Sequence, residues 1–145
     1  MDATLNELYQ DIILEHNRAP RNKHTLPAPA KVARGHNPSC GDSVTVFVAM
    51  EGDVVKCIAF DGEGCAISQA SASLMTELLS GKTKREAGEI IDAVCRALGD
   101  ADGCVAQTNP LEQYGEVAAL IGVKKFPMRI KCATLAWHAA KDAMA

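Results

Sequence analysis

Apolar residues recur at helical spacing near the start of the chain, at Leu5, Leu8, Ile12 and Ile13. Thr4 can cap this run and Pro20 must end it, so the spacing predicts a first helix to about Asn17. The pattern then dissolves. Pro, Ala and basic residues fill Asn22 to Asn37, which reads as an extended loop. From Ser43 to Met50 the period becomes two, with Val44, Val46 and Val48 on one face. Glu51-Gly52-Asp53 turns the chain, and Val54 to Phe60 returns rich in β-branched residues, so the pair reads as an antiparallel hairpin. Gly62-Glu63-Gly64 breaks the second strand. A helix is predicted from about Ala66 to Ser80, closed by Gly81. Thr83-Lys84-Arg85-Glu86 is a capping-box pattern that opens another, with Ala87, Ile90, Ile91, Val94 and Leu98 on its apolar face. Gly99 to Asn109 is polar and turn-rich. A short helix follows from Pro110 or Leu111 to near Gly122. Pro127 suits the first turn of a last helix to about Met144, with Met128, Cys132, Leu135 and Ala139 on its inner face.

The order of helix, hairpin and four helices predicts an α+β fold, a small antiparallel sheet with helices packed on one face. The chain has 145 residues, which reads as a single domain over 1–145. A domain of this length hides roughly 70% of its unfolded surface and does not need disulfides. The net charge of -3 argues against a role in neutralising phosphates, so no nucleic-acid partner is expected. The start, with Asp2, Glu7, Asp11 and Glu15, has neither the basic segment nor the apolar run of a secretory signal. No window resembles a membrane span. A cytoplasmic location is expected, where thiols stay reduced.

That expectation changes how the six cysteines read. Cys40, Cys57, Cys65, Cys95, Cys104 and Cys132 contain no C-x-x-C pair, so neither a disulfide frame nor a zinc ribbon is expected. Cys57, mid-strand, and Cys95, on an apolar helix face, read as core packing. Cys104 falls in a polar loop with nothing nearby to activate it. The other three stand in different settings. Cys40 lies in Asn37-Pro38-Ser39-Cys40-Gly41-Asp42, where a turn at Gly41 can aim Cys40 and Asp42 at one point. Cys65 follows Gly-Glu-Gly and opens a helix, where backbone N–H groups and the helix dipole favour an anion. Cys132 lies near the start of the last helix among Lys124, Lys125, Arg129 and Lys131.

Three thiolates and a carboxylate make a tetrahedral set acceptable to Zn²⁺, with a net charge that Arg129 and Lys131 can offset. The other reading is that Pro and Gly build turns and these cysteines fill corners. Lesser motifs fall away. Asp100-Ala-Asp102-Gly103 has its glycine at the wrong place for a calcium loop. Gly62-x-Gly64 lacks the third glycine of a dinucleotide motif. His138 stands about 240° around the helix from Cys132, a poor partner for it. His16, His24 and His36 show no ligand spacing among themselves. The basic residues around Cys132 read as a solvated face, or as support for the site and docking of an acidic partner.

The motif Asn37-Pro-Ser-Cys-Gly-Asp42 resembles a signature of the U-type iron–sulfur scaffold family. Gly62-Glu-Gly-Cys-Ala-Ile-Ser68, with Ala70-Ser-Ala-Ser73, resembles that family's second cysteine segment, and Arg129-Ile-Lys-Cys-Ala-Thr-Leu-Ala-Trp137 its third. The opening Leu8-Tyr-Gln-Asp-Ile-Ile-Leu-Glu-His16, with Pro20-Arg-Asn22, is also similar. The resemblance covers nearly the whole chain and is nearest to the SufU branch. Lys131 stands where classical scaffolds have His, and a branch-specific insertion falls around Gly99 to Lys125.

The resemblance implies a sheet of about three strands with the metal site exposed at one end. It implies zinc held by Cys40, Asp42, Cys65 and Cys132, with Arg129 and Lys131 supporting the site or docking a partner. It further implies a cysteine desulfurase of SufS type as sulfur donor, Cys40 as acceptor, and downstream iron–sulfur assembly machinery or apo-proteins as recipients. A zinc-dependent sulfurtransferase is thus expected. A scaffold holding a transient [2Fe–2S] cluster or iron is the alternative, and a structural zinc module is the third reading.

Overall fold

The computed structural model describes residues 3–99 and 110–145, with side chains described from residue 7 onward. Cys104, the Asp100-Ala-Asp102-Gly103 stretch and the first part of the expected insertion lie outside those residues. Helix α1 spans Ala3–Arg18 and stops short of Pro20, whose ring disfavours helical backbone in the residue before it. Its inner face is Tyr9, Ile12, Ile13 and His16, while Leu8 is half-exposed. The inward stripe passes through a histidine, which a hydrophobic pattern does not register.

Three antiparallel strands follow in spatial order β1-β2-β3: Lys31–Asn37, Asp42–Glu51 and Val54–Glu63. Sequence reading placed residues 31–37 in a loop, and the structure corrects this. β1 pairs along its length with β2, from Lys31 opposite Val48 to Asn37 opposite Asp42. It is an edge strand whose backbone has one partner, and it carries Lys31, Arg34, Gly35 and His36 instead of an apolar alternation. Gly35 has its own reason. A Cβ there would stand 2.9 Å from Leu135 Cδ1, so glycine lets the last helix lie close.

The β2–β3 hairpin is as expected, with Gly52 at positive φ in its turn. Val44, Val46 and Val48 are buried. A bulge interrupts the pairing, since Ala49 faces Cys57 but Met50 faces Val55. The extra residue switches the phase of β3, so Val55 points inward before it and Ile58 and Phe60 after it. Cys57 therefore lies on the solvent face and is exposed, which corrects its assignment to the core. Cys95 is largely covered and packs against the core as expected.

Helices α2 (Ala66–Leu79), α3 (Lys84–Gly99) and α4 (Pro127–Met144) match the predicted segments. The capping box forms: the Thr83 N–H donates to Glu86 Oε1 at 3.0 Å, and the Glu86 N–H donates to Thr83 Oγ1 at 3.1 Å. Between α3 and α4, Glu112–Lys125 is a 3₁₀ segment broken by non-helical backbone at Tyr114 and Gly115, where the sequence predicts a short helix ending near Gly122. It buries Val117, Leu120 and Val123. α4 packs on β1, β2 and α2. Cys132 and Ala139 face inward and Leu135 partly so, but Met128 is 81% exposed. The first turn of α4 projects into solvent, and its packing begins only around Ile130, which corrects the placement of Met128.

The α2–α4 contact is fixed by a buried chain of hydrogen bonds. Trp137 Nε1 donates to Ser71 Oγ at 2.8 Å, and Ser71 Oγ donates to the Ala133 carbonyl. Among the described residues, no helix is long and apolar enough to cross a membrane.

Candidate metal centre

Three chain segments meet at one end of the sheet. The β1–β2 connection carries Cys40, and β2 begins at Asp42. Two local features shape this turn: Gly41 at φ 68, and a hydrogen bond from the Cys40 N–H to the Asn37 carbonyl. Cys65 occupies the extended position immediately before α2. Cys132 sits in the second turn of α4 and is fully buried.

The donor atoms of Cys40, Asp42 and Cys132 all lie within 4.8 Å of one another. Cys132 Sγ stands 3.1 Å from Cys40 Sγ. Cys65 joins through Asp42: its thiol lies 3.9 Å from Oδ2, and its N–H donates to Oδ1 at 2.8 Å. The buried Asp42 carboxylate thus receives a donor from the start of a helix, where orphan N–H groups and the dipole favour negative charge. All four residues singled out in the sequence are brought together. Cys57 and Cys95 stand apart from them as free thiols.

Two contributors were not foreseen in these roles. Asn37 was noted only as part of a motif. It is buried, and its Nδ2 lies 3.6 Å from Cys132 Sγ, so the side chain before the turn supplies a donor to the innermost sulfur. Gly64 leaves room for the carboxylate, since a Cβ there would stand 2.6 Å from Asp42 Oδ1. The Gly-Glu-Gly run reads as a strand break in the sequence, yet β3 continues through Gly62 to Glu63, and the run gave no sign of this close approach.

The electrostatics separate Arg129 from Lys131. The Arg129 guanidinium lies 3.8 Å from Cys40 Sγ. Its pKa is raised by a hydrogen bond to Cys132 and then by the charges of Cys65, Cys40 and Cys132. Lys131 is exposed, and among the described residues no hydrogen bond or ion pair joins it to the thiols. Burial pushes the Cys132 thiol well above the usual range, reinforced by hydrogen bonds with Asp42, Cys40 and Cys65. A metal ion would displace that proton. Soft sulfur donors with one carboxylate, in a cradle kept open by Gly64, are the kind of set that suits zinc and admits iron. Lys124 and Lys125 are exposed beside Phe126, and His138 faces solvent.

An open three-stranded antiparallel sheet covered by helices, with cysteines converging at its end, defines a small α+β domain with a thiol-rich candidate metal site. The chain belongs to the family described as NifU-like N terminal domain, which matches residues 8–143. It is 39% identical over 143 residues to an iron–sulfur cluster assembly scaffold protein IscU of Streptococcus pyogenes serotype M1, covering 98% of this chain and 86% of that protein. It is 38% identical over 147 aligned residues to the zinc-dependent sulfurtransferase SufU of Bacillus subtilis strain 168, covering 99% and 94%. Its fold is similar to a crystal structure of a putative iron–sulfur cluster assembly scaffold protein for the SUF system from Fervidobacterium islandicum. That match has a TM-score of 0.83 at 30% identity, covering 99% of this chain and all of the other.

Proposed function

We propose that this chain acts in iron–sulfur cluster assembly as a sulfur acceptor, with zinc held by Cys40, Asp42, Cys65 and Cys132 and with Cys40 as the accepting thiol. The observation that carries this reading is the convergence of the Cys40, Asp42 and Cys132 donors within 4.8 Å, with Cys40 on a half-exposed turn and Asp42 and Cys132 buried. The name of the Bacillus subtilis relative, a zinc-dependent sulfurtransferase, supports it. When bound, zinc would keep the cysteine sulfurs deprotonated and damp their reactivity.

The residues themselves do the rest. The sulfur donor is the persulfide of a cysteine desulfurase of SufS type. The Cys40 thiolate attacks its terminal sulfur, forming a new S–S bond. The donor's own S–S bond breaks, its electron pair leaves with the donor cysteine as thiolate, and the persulfide proton remains on the transferred sulfur or passes to solvent. No net oxidation occurs. Arg129, 3.8 Å from Cys40 Sγ, places a permanent positive charge beside the attacking sulfur.

Metal analysis combined with a desulfurase assay tests this. The protein should carry one zinc per chain and accelerate alanine formation from cysteine, and Cys40→Ala should abolish the acceleration. Full stimulation by Cys40→Ala would remove Cys40 from the acceptor role.

The name of the streptococcal relative favours a second reading, in which iron and sulfide are cargo assembled on the same four side chains as a [2Fe–2S] cluster. Anaerobic reconstitution with iron and sulfide would then give a brown, oxygen-sensitive protein. A protein that holds no iron under those conditions counts against it.

A further inference from the structure

Outside the sulfur site, a buried histidine, two carboxylates and a cavity meet at one place. His16 on α1 is 1% exposed, although nothing in the site described above uses it. Its Nδ1 lies 2.7 Å from Ser73 Oγ on α2, and the same hydroxyl accepts the Arg21 N–H at 2.8 Å. That contact fixes the ring. It leaves Nε2 aimed at Glu116 of the 3₁₀ segment, 3.0 Å away, and at Glu77 of α2, 3.7 Å away. The three donor atoms all lie within 4.8 Å of one another. A single imidazole N–H can serve one carboxylate, yet two converge on it. Beside them opens a cavity of about 230 Å³ lined by Glu77, Glu116, Leu74, Leu78, Tyr114 and Val117, large enough to admit an ion with its remaining waters.

We propose that His16, Glu77 and Glu116 form a second, sulfur-free site for a divalent first-row cation. Ligand distances of about 2.0–2.2 Å place neighbouring donors roughly 3 Å apart, so the 3.0 and 3.7 Å separations need only small side-chain adjustment. Both glutamates can supply it, being 47% and 58% exposed, while the buried imidazole stays anchored. The Ser73 contact on the far nitrogen is the arrangement that orients a ligating histidine. One imidazole and two carboxylates favour Mn²⁺ or Fe²⁺ far more than a thiolate set does, so the two sites would sort metals by softness. The site ties α1, α2 and the 3₁₀ segment together, and it stands independently of the role proposed for Cys40.

Mn²⁺ is the probe, because its free aquo ion is counted by electron paramagnetic resonance and it has little preference for thiolates. Protein loaded with one equivalent of zinc should bind one Mn²⁺ per chain, and the His16 imidazole NMR signals should broaden. The double variant Glu77→Gln/Glu116→Gln keeps side-chain shape and hydrogen bonding on half-exposed positions. It should weaken Mn²⁺ binding at least about tenfold, with the metal-free melting temperature unchanged, whereas Cys40→Ala should bind Mn²⁺ as the wild type does. Absence of stoichiometric binding by the zinc-loaded wild type would show a hydrogen-bonded structural cluster only. Equal binding by the double variant would place the ion elsewhere. Either result overturns the proposal.

Discussion

Cys57 and Cys95 look alike in the sequence, each among apolar neighbours, yet the structure gives them opposite settings. Cys57 is exposed on the outer face of β3. Cys95 is largely covered, and burial, with the nearby Asp92 charge second, pushes its thiol up to about 11. Thiolate is the reactive form, so iodoacetamide at pH 8 should label Cys57 well before Cys95. The Cys95 rate should keep rising with pH until about 11, and peptide mass spectrometry reads both. Gly64 makes the other residue-scale prediction. Gly64→Ala puts a methyl carbon 2.6 Å from Asp42 Oδ1, closer than the two atoms can pack. The carboxylate must shift, and zinc affinity measured against a chromophoric chelator should fall by about tenfold, or 1.4 kcal/mol, with the fold retained. The candidate residues were partly legible: Cys40, Asp42, Cys65 and Cys132 stand at a turn and near helix starts, but the family resemblance was needed to join them into one set. The roles of Asn37 and Gly64 were not legible, because each acts on a residue distant in sequence.

Elements were legible where one face is uniformly apolar. α3 shows this best, with a predicted stripe and a predicted capping box that both form. β1 was missed because an edge strand is defined by its backbone partner and not by its side chains. The phase of β3 was missed because a bulge leaves little trace in the pattern it interrupts. α2 and α4 are held in register by the Trp137–Ser71–Ala133 chain, which sets the spacing between the helices that carry Cys65 and Cys132. Ser71→Ala would leave the buried Trp137 N–H without that acceptor. Stability should drop by about 1–3 kcal/mol, read as a lower urea midpoint with the slope unchanged.

Across the whole molecule, a metal at the sulfur site would join the β1–β2 turn, the start of α2 and α4, which are far apart in sequence. Binding to the folded state alone stabilises it. For zinc at about 100 times its Kd the gain is about 2.7 kcal/mol, so chelation should lower the melting temperature by roughly 5–10 °C. A melting temperature unchanged by chelation would mean that the three segments are held without metal. The net charge of -3 hides a local excess of cations at Lys124, Lys125, Arg129 and Lys131, of which only Arg129 reaches the sulfurs.

Periodicity and short turn motifs by themselves indicated the α-helices and the β2–β3 hairpin and marked Cys40, Asp42, Cys65 and Cys132 as candidates, which the family resemblance joined into one set, because these patterns depend on neighbours within a few positions. Tertiary structure alone decided which way Cys57 faces, that β1 is a strand, that Asn37 and Gly64 shape the sulfur site, and that His16 meets two glutamates. Each of those rests on contacts between segments tens of residues apart, fixed by strand register and helix packing, which no local pattern records.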